Sequence, residues 1–88
     1  MFKLYVLLSR KKNRSYVGVT EDIARRLMEH NAGIVKSSKP YRPYVVAFTE
    51  SFDTLAEAMK KEKYFKSALG RRKLKKILNN LMPNPGIQ

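Results

Sequence analysis

The apolar and polar positions of the chain predict three strands and three helices. Apolar and aromatic runs of strand character lie at residues 2–9, 16–20 and 44–50. Apolar residues at helical spacing follow the second and third of these runs, which predicts helices at about 22–32, 54–67 and 71–80. The element order β-β-α-β-α-α indicates a small α/β domain of the α+β type, built on a three-stranded sheet.

Capping residues mark the ends of the predicted helices. Thr20 or Asp22 can cap the first helix, and Gly33 is placed to end it in a left-handed conformation. Thr54 has a glutamate three residues later, which is the capping-box pattern of a helix start. Gly70 is expected to break the chain between the second and third helices.

Length and composition limit the class of protein. The 88 residues suit one domain, which we place at residues 1–80, followed by a flexible tail at 81–88 that contains two prolines. The chain has no cysteine, which excludes disulfides and thiolate metal sites. No apolar run approaches the about 20 residues that span a bilayer, so we expect no membrane segment and a cytoplasmic location.

The charge of the chain points to a polyanionic partner. Nineteen lysines and arginines against seven acids give a formal charge of +12 at pH 7, which favours binding to a phosphate backbone, DNA first. A solvated helix face is the alternative meaning of such a basic run, and charge alone does not separate a nuclease from a ribosome-associated protein or an anionic-membrane binder. The basic residues that we expect to contact nucleic acid are Arg25, Lys36, Lys39, Arg42, Lys63, Lys66, Arg71 and Arg72.

Glu62 differs from the other six carboxylates because it falls among apolar positions of its helix. It lies four residues after Ala58 and three before Phe65, on the apolar stripe that also includes Leu55 and Met59. A carboxylate there needs a partner. An ion pair with a nearby lysine or arginine would satisfy it, as would an edge position that reaches water. The functional alternative is a hard divalent cation, Mg²⁺ or Mn²⁺.

Four other polar or aromatic residues lie where the chain otherwise predicts core. Arg26 and His30 are four residues apart and share a helix face, where the arginine could clamp a phosphate and the histidine could exchange a proton. A helix-end histidine that interacts with the dipole is the simpler explanation of His30. Burial in the strands is the simpler explanation of Tyr5 and Tyr16. Their rings project to the same face of the sheet only if the hairpin pairs residues whose numbers sum to an odd value.

These residues resemble the motifs of the GIY-YIG nuclease family, especially its small stand-alone bacterial members, and are similar to the N-terminal nuclease domain of a bacterial excinuclease. The first motif is similar to Lys3-Leu4-Tyr5, without its glycine, and the second to Tyr16-Val17-Gly18. The family's helix pattern is similar to the segment from Arg26 to His30, its Arg-Pro loop end to 42–43, and its metal-binding glutamate falls on Glu62.

The resemblance implies an antiparallel three-stranded sheet packed with helices and a metal-dependent endonuclease that acts on DNA, with a role in repair or recombination. Glu62 would bind one Mg²⁺ or Mn²⁺ ion and Tyr16 would be the leading general base. Tyr5 and His30 would assist, while Arg26 would stabilise the transition state. One active site per chain suits a monomer or a weak dimer.

Two positions differ from the pattern of some relatives and keep a second hypothesis open. Val19 stands near where several members carry a lysine, and Leu74 where some carry an asparagine. A non-catalytic module of the same fold that binds DNA or RNA is therefore the alternative. An anionic-membrane or protein adaptor is a third interpretation of the charge.

Overall fold

The computed structural model describes residues 1–81 and has the predicted element order. The strands are β1 (Phe2–Ser9), β2 (Ser15–Thr20) and β3 (Tyr44–Phe52). The helices are α1 (Ile23–Ala32), α2 (Leu55–Lys66) and α3 (Ala68–Leu81). A single 3₁₀ turn, Lys39–Tyr41, interrupts the predicted loop between α1 and β3. The α+β fold class is therefore confirmed.

The sheet is antiparallel with the strand order β2-β1-β3. β1 is the central strand and helices pack on both faces of the sheet, so Leu4, Tyr5, Val6 and Leu7 are all buried. Successive residues of a strand point to opposite faces. The four-residue apolar run of β1 therefore contributes two side chains to each of two separate cores.

The first core lies between the sheet and the last two helices. Leu4, Val6 and Val17 contact Phe65 of α2 and Leu74 of α3, with further apolar side chains of β3 and α3 at the edges. We call this side of the sheet the apolar face. Its buried members are all hydrocarbon, so its cohesion comes from burial and close packing.

The second core lies on the opposite side of the sheet, under α1. Tyr5, Leu7 and Tyr44 are buried there, and α1 covers them with Ile23 and Leu27. Tyr16 and Tyr41 complete this cluster at its margin. Four of these seven side chains are phenols, and we call this side of the sheet the aromatic face.

The helix ends confirm most of the capping predictions. Asp22 caps α1, its carboxylate accepting from the Arg25 N–H at 3.1 Å, and Gly33 ends it with a φ of 81°. Thr54 caps α2: its hydroxyl accepts from the Glu57 N–H at 3.2 Å and donates to the Glu57 carboxylate at 3.0 Å. The predicted helix start at Thr54 is therefore confirmed, although the glutamate bonds the threonine hydroxyl and not its backbone N–H.

The predicted break at Gly70 is wrong. The chain turns at Ser67, which has extended backbone and accepts the Gly70 N–H with its hydroxyl, so that α3 begins at Ala68. Gly70 is buried against the Tyr64 carbonyl, where a Cβ atom would not fit. The glycine is needed for the close approach of α3 to the end of α2, and it lies inside the helix.

The apolar stripe predicted for α2 is narrower than expected. Ala58 and Phe65 are buried, but Leu55 and Met59 are about half exposed, and Leu69 belongs to α3 and is also exposed. Leu81 lies in α3, one residue beyond the boundary set for the domain, and the rest of the predicted tail, 82–88, is outside the described residues. Among the described helices, none is both long and apolar enough to cross a membrane.

Candidate active site

Two tyrosines of the β1–β2 hairpin lie on the aromatic face. The hairpin pairs Leu7 with Tyr16 and Tyr5 with Gly18, so the odd-sum register is confirmed. The two phenol rings stack with centroids 6.4 Å apart and planes 23° apart. Gly18 makes room for the Tyr5 ring, because a Cβ atom there would collide with the Tyr5 hydroxyl. The motif glycine thus determines where the phenol lies.

Helix α1 brings Arg26 to the Tyr5 hydroxyl. The guanidinium donates from Nε to the phenol oxygen at 3.3 Å and from Nη1 to the Glu29 carboxylate at 2.9 Å. Glu29 has no place in the sequence motifs, yet it fixes the arginine from one turn away. Among residues 1–81, no side chain accepts a hydrogen bond from Nη2 of Arg26. The third edge of the guanidinium is therefore available to a ligand.

His30 is fully buried between Tyr5 and Ser38. Its Nε2 lies 3.1 Å from the Tyr5 hydroxyl and its Nδ1 lies 2.7 Å from the Ser38 hydroxyl. The Ser38 hydroxyl donates to the Val35 carbonyl at 3.3 Å, so we assign the Nδ1 proton to the bond with Ser38 and leave Nε2 as the acceptor for Tyr5. His30 lies in the last turn of α1, as the helix-end alternative required, and its buried ring is also hydrogen-bonded on both sides.

The hydrogen bonds form one directed chain. Arg26 donates to Tyr5, Tyr5 to His30, His30 to Ser38 and Ser38 to the Val35 carbonyl. Each group has its proton committed in one direction, and such networks rigidify a site. This series of hydrogen bonds orients Arg26 from the side of Tyr5 and leaves Nη2 of the guanidinium accessible.

The charge state of the cluster follows from its burial. Burial raises the pKa of the Tyr5 phenol, and the hydrogen bond and charge of Arg26 only partly offset this. Burial and the nearby Arg26 charge lower the pKa of His30. The hydrogen bonds that Arg26 donates to Tyr5 and Glu29 raise the pKa of its guanidinium. At neutral pH the site therefore holds a protonated phenol, a neutral imidazole and a permanent cation.

Tyr16 lies at the outer margin of this cluster. It is half-buried, with its ring edge-on to His30 at a centroid distance of 4.6 Å. Its hydroxyl makes no hydrogen bond to the part of the chain that the structure describes. Tyr16 thus combines a place beside Tyr5 and His30 with an uncommitted hydroxyl.

Glu62 lies on the inner side of α2, as its spacing predicted. It is 22% exposed, and its carboxylate accepts from the Lys66 ammonium at 3.2 Å. The negative charge of Glu62 contributes to the raised pKa of Tyr5 after burial and the tyrosine neighbour, so the two groups are in electrostatic range. The ion pair with Lys66 is one of the partners expected for Glu62. Because the carboxylate also reaches solvent, it could exchange that lysine for a divalent cation.

Because Glu62 is a single carboxylate, it limits the kind of cation that it could hold. Among residues 1–81 there is no group of three or more histidine, cysteine or acidic side chains arranged around a common point. Mg²⁺ retains several waters and is commonly held by one or two carboxylates and a substrate phosphate. Glu62, partly exposed and paired with a flexible exposed lysine, fits that mode and does not fit a cage such as those of zinc.

Several supporting residues were not predicted from the sequence as part of the site. Ser38 is buried within a basic, proline-containing loop, where serine is ordinarily exposed. Asn31 pairs its amide with the backbone of Tyr44, donating at 3.1 Å and accepting at 2.6 Å. The Tyr44 hydroxyl then donates to the Ser38 carbonyl. No periodicity in the sequence signals these bonds, because they join a helix end, a loop and a strand.

The eight basic residues predicted to contact nucleic acid are all exposed. They differ in whether an acidic side chain already pairs with them. Arg25 lies within 4.0 Å of Asp22 and 3.6 Å of Glu29, and Lys66 is paired with Glu62. Six remain without an ion pair to a carboxylate of residues 1–81: Lys36, Lys39, Arg42, Lys63, Arg71 and Arg72.

The two positions that differ from some relatives are structural here. Val19 is half-buried on β2 opposite Leu4. Leu74 is 4% exposed in the core of the apolar face, in contact with Phe65 and its neighbours. An asparagine at Leu74 would place an amide in hydrocarbon, so this chain uses the position for packing.

Comparison with known proteins identifies the family. The model of the GIY-YIG catalytic domain matches residues 1–76. The chain belongs to the GIY-YIG family. Both motif tyrosines, the arginine and histidine of α1 and the glutamate of α2 lie within the matched span. A nuclease family is thereby established, and the resemblance drawn from the sequence is confirmed.

Small bacterial proteins are similar to the chain along most of its length. It is 38% identical over 79 residues to a UPF0213 protein of Staphylococcus saprophyticus, which covers 88% of this chain and 96% of that protein. It is 42% identical over 64 residues to the UPF0213 protein YazA of Bacillus subtilis, covering 72% and 65%. The solution structure of a UPF0213 protein of Bacillus halodurans matches with a TM-score of 0.51 at 27% identity, covering 98% and 90%.

Proposed function

We propose that this protein is a metal-dependent endonuclease that hydrolyses phosphodiester bonds in DNA. The observation that carries the proposal is the guanidinium of Arg26, held by Tyr5 and Glu29 with one edge open beside the aromatic cluster. A fixed guanidinium at a half-buried site is well suited to a phosphate group. Membership in a family of nuclease catalytic domains supports the reaction class.

The side chains divide into reacting and positioning groups. Arg26 would bind a non-bridging phosphate oxygen through its open edge and stabilise the charge that develops during displacement. Tyr16 is the candidate general base, because its hydroxyl is uncommitted and its ring stacks on Tyr5, the phenol that accepts from Arg26. Tyr5 has a raised pKa and donates its proton to His30. Tyr5 and His30 are therefore positioning residues that hold Arg26.

Glu62 is the candidate ligand of one divalent cation, Mg²⁺ or Mn²⁺, which would supply further charge neutralisation to the phosphate. To accept the cation, the carboxylate would release Lys66, an exposed partner that costs little to displace. The freed lysine would then add to the positive surface for DNA. Lys63, Arg71 and Arg72 extend that surface along the last two helices.

The proposal is tested by cleavage of supercoiled, nicked and branched DNA with Mg²⁺, Mn²⁺ or EDTA. We expect metal-dependent products from the wild type and a loss of at least about 100-fold in Glu62→Gln, which keeps the shape of the side chain and removes its charge. Glu50→Gln, an exposed acid of β3, is the matched control and should cut normally. Undiminished cleavage by Glu62→Gln would remove Glu62 from the mechanism.

A non-catalytic DNA- or RNA-binding module is the second candidate. Two observations favour it. Glu62 is already paired with Lys66, and Leu74, where some relatives carry an asparagine, is buried in the core and has no catalytic part. It predicts salt-sensitive binding without product at any metal concentration, in the wild type as well as in both variants.

A further inference from the structure

A basic cavity lies beside the β1–β2 turn and the 3₁₀ turn, outside the hydrogen-bonded chain of the aromatic face. It has a volume of about 360 Å³, is open to solvent, and is lined by Lys11, Lys39, Pro40 and Arg42. We call these four residues the cationic notch. None of its three cations forms an ion pair with a carboxylate of residues 1–81. Three positive charges thus share one small concavity without a counter-charge from the described chain.

One buried serine holds the two sides of the notch together. The Ser9 hydroxyl accepts from the backbone N–H groups of Lys11 and Lys12, both at 3.1 Å, which fixes the β1–β2 turn. The same hydroxyl donates to the Tyr41 carbonyl at the end of the 3₁₀ turn. Lys11 comes from the first of these turns and Lys39 from the second, so Ser9 sets the spacing between them.

Further contacts make the arrangement rigid. The Arg10 N–H donates to the Pro43 carbonyl at 2.9 Å, and the Arg14 guanidinium lies 4.5 Å from the centre of the Tyr41 ring. Arg42 donates to the Lys39 carbonyl at 3.2 Å. The notch is therefore built from backbone that is already ordered, which lowers the entropy cost of binding a ligand there.

We propose that the cationic notch binds a backbone phosphate of the DNA substrate, at a distance from the phosphate that is cleaved. The inference rests on the proposed function, because it names the ligand as part of the same DNA. The 3₁₀ turn that carries the notch follows Ser38 directly, and its Tyr41 packs in the cluster of the aromatic face. A DNA strand bound at Arg26 and Tyr16 would therefore run past Tyr41 toward the notch. A second phosphate held in the notch would fix the direction of that DNA strand across the site.

The test is DNA binding without cleavage, measured by fluorescence anisotropy of a labelled duplex of about 20 base pairs in EDTA at several salt concentrations. Lys11→Gln should weaken binding about threefold to tenfold and lower the slope of log affinity against log salt by about 1, the signature of one lost phosphate contact. Lys12→Gln is the matched control. It carries the same charge in the same turn, is exposed, and does not line the notch.

Two further variants separate geometry from charge. Arg42→Gln should behave like Lys11→Gln. Ser9→Ala should weaken binding with the net charge unchanged, in a protein whose thermal transition shows that it is folded. Equal losses in Lys11→Gln and Lys12→Gln would overturn the inference and leave only a general electrostatic attraction. A wild type that binds no DNA would instead refute the proposed function, and the notch proposal with it.

Discussion

β1 presents alternate residues to the two faces of the sheet, and those faces are held together by different physical means. Leu4 and Val6 enter the apolar face, where every buried neighbour is hydrocarbon. Tyr5 and Leu7 enter the aromatic face, where a tyrosine, a histidine, a serine and an arginine are joined by hydrogen bonds. One strand of eight residues thus supports a packing core and a candidate active site.

The comparison shows how a small domain accommodates buried polar groups. In the part of the chain that the structure describes, every buried side-chain nitrogen and oxygen has a hydrogen-bond partner. The aromatic face therefore avoids the penalty for unpaired polar groups, but its hydrogen bonds largely replace bonds to water and add little net stability. The side chains of the apolar face give up no hydrogen bonds to water when they are buried. We therefore expect this face to supply most of the stability of the domain.

Truncating the centre of the apolar face should give the largest loss of stability. Phe65 is 2% exposed and contacts Phe48 edge-on at a centroid distance of 6.1 Å. Phe65→Ala should lower the free energy of unfolding by about 3–5 kcal/mol, because it removes buried surface and leaves a cavity. Urea denaturation followed by circular dichroism measures the change.

The neighbouring Tyr64 provides the control for this prediction. It is 40% exposed on the same helix, so Tyr64→Ala should cost less than about 1 kcal/mol. If the two variants lost equal stability, the apolar face would not be the dominant source of cohesion, and the comparison between the faces would fail.

On the aromatic face, the removal of an arginine should affect the rate of cleavage much more than DNA binding. Arg26→Ala should reduce the rate of DNA cleavage by about 100-fold or more, since a fixed donor to the transition state is lost. DNA affinity in EDTA should fall only a few-fold, as expected for the loss of one phosphate contact among several. Single-turnover cleavage and anisotropy give the two quantities separately.

Arg25 offers a matched control one residue away. Its side chain is 63% exposed, against 33% for Arg26, and it does not contact Tyr5. Arg25→Ala should leave the cleavage rate within a few-fold of the wild type. Equal losses of rate and affinity in Arg26→Ala would reduce that residue to a binding role.

The sequence was sufficient for those parts of this comparison that depend on local pattern. Strand alternation, the capping residues Asp22 and Thr54, and the four-residue spacing of Arg26 and His30 all have local causes. The candidate set of five residues was reached from such patterns together with the family resemblance. Whether the two tyrosines converge depends on the parity of the hairpin register, which the polar loop leaves open until the strands are paired.

The parts that could not be predicted depend on contacts between distant segments. A glycine such as Gly70 is typical of a helix break, but the chain turns at Ser67. Gly70 lies inside α3 because only a residue without a Cβ atom fits where that helix approaches Tyr64. Ser38 lies in a loop and meets His30 only after α1 has docked on the sheet. The notch residue Lys11 was not among the predicted contacts, since its neighbours come from a separate loop.

The smallest expected effect is a pH dependence of stability that arises from His30. Burial lowers its pKa below the ordinary value of 6.5, so between that value and the lowered one the unfolded chain binds more protons than the folded chain. Stability should therefore be at its plateau above about pH 6.5 and should decrease as the pH falls below it. Since the chain has one histidine, His30→Asn should flatten the slope in this window, whatever its effect on stability at neutral pH.

The tautomer of His30 provides an independent measurement on the same group. The directed chain requires the proton on Nδ1, facing Ser38, with Nε2 accepting from Tyr5. Nitrogen chemical shifts of the single imidazole distinguish the two tautomers. Ser38→Ala should shift the population toward the Nε2 tautomer, because the acceptor for the Nδ1 proton is removed, whereas Ser37→Ala, at an exposed neighbour, should not. An unchanged tautomer in Ser38→Ala would mean that Tyr5 alone orients the ring, and the aromatic face would then depend on one hydrogen bond where the structure has a connected chain of them.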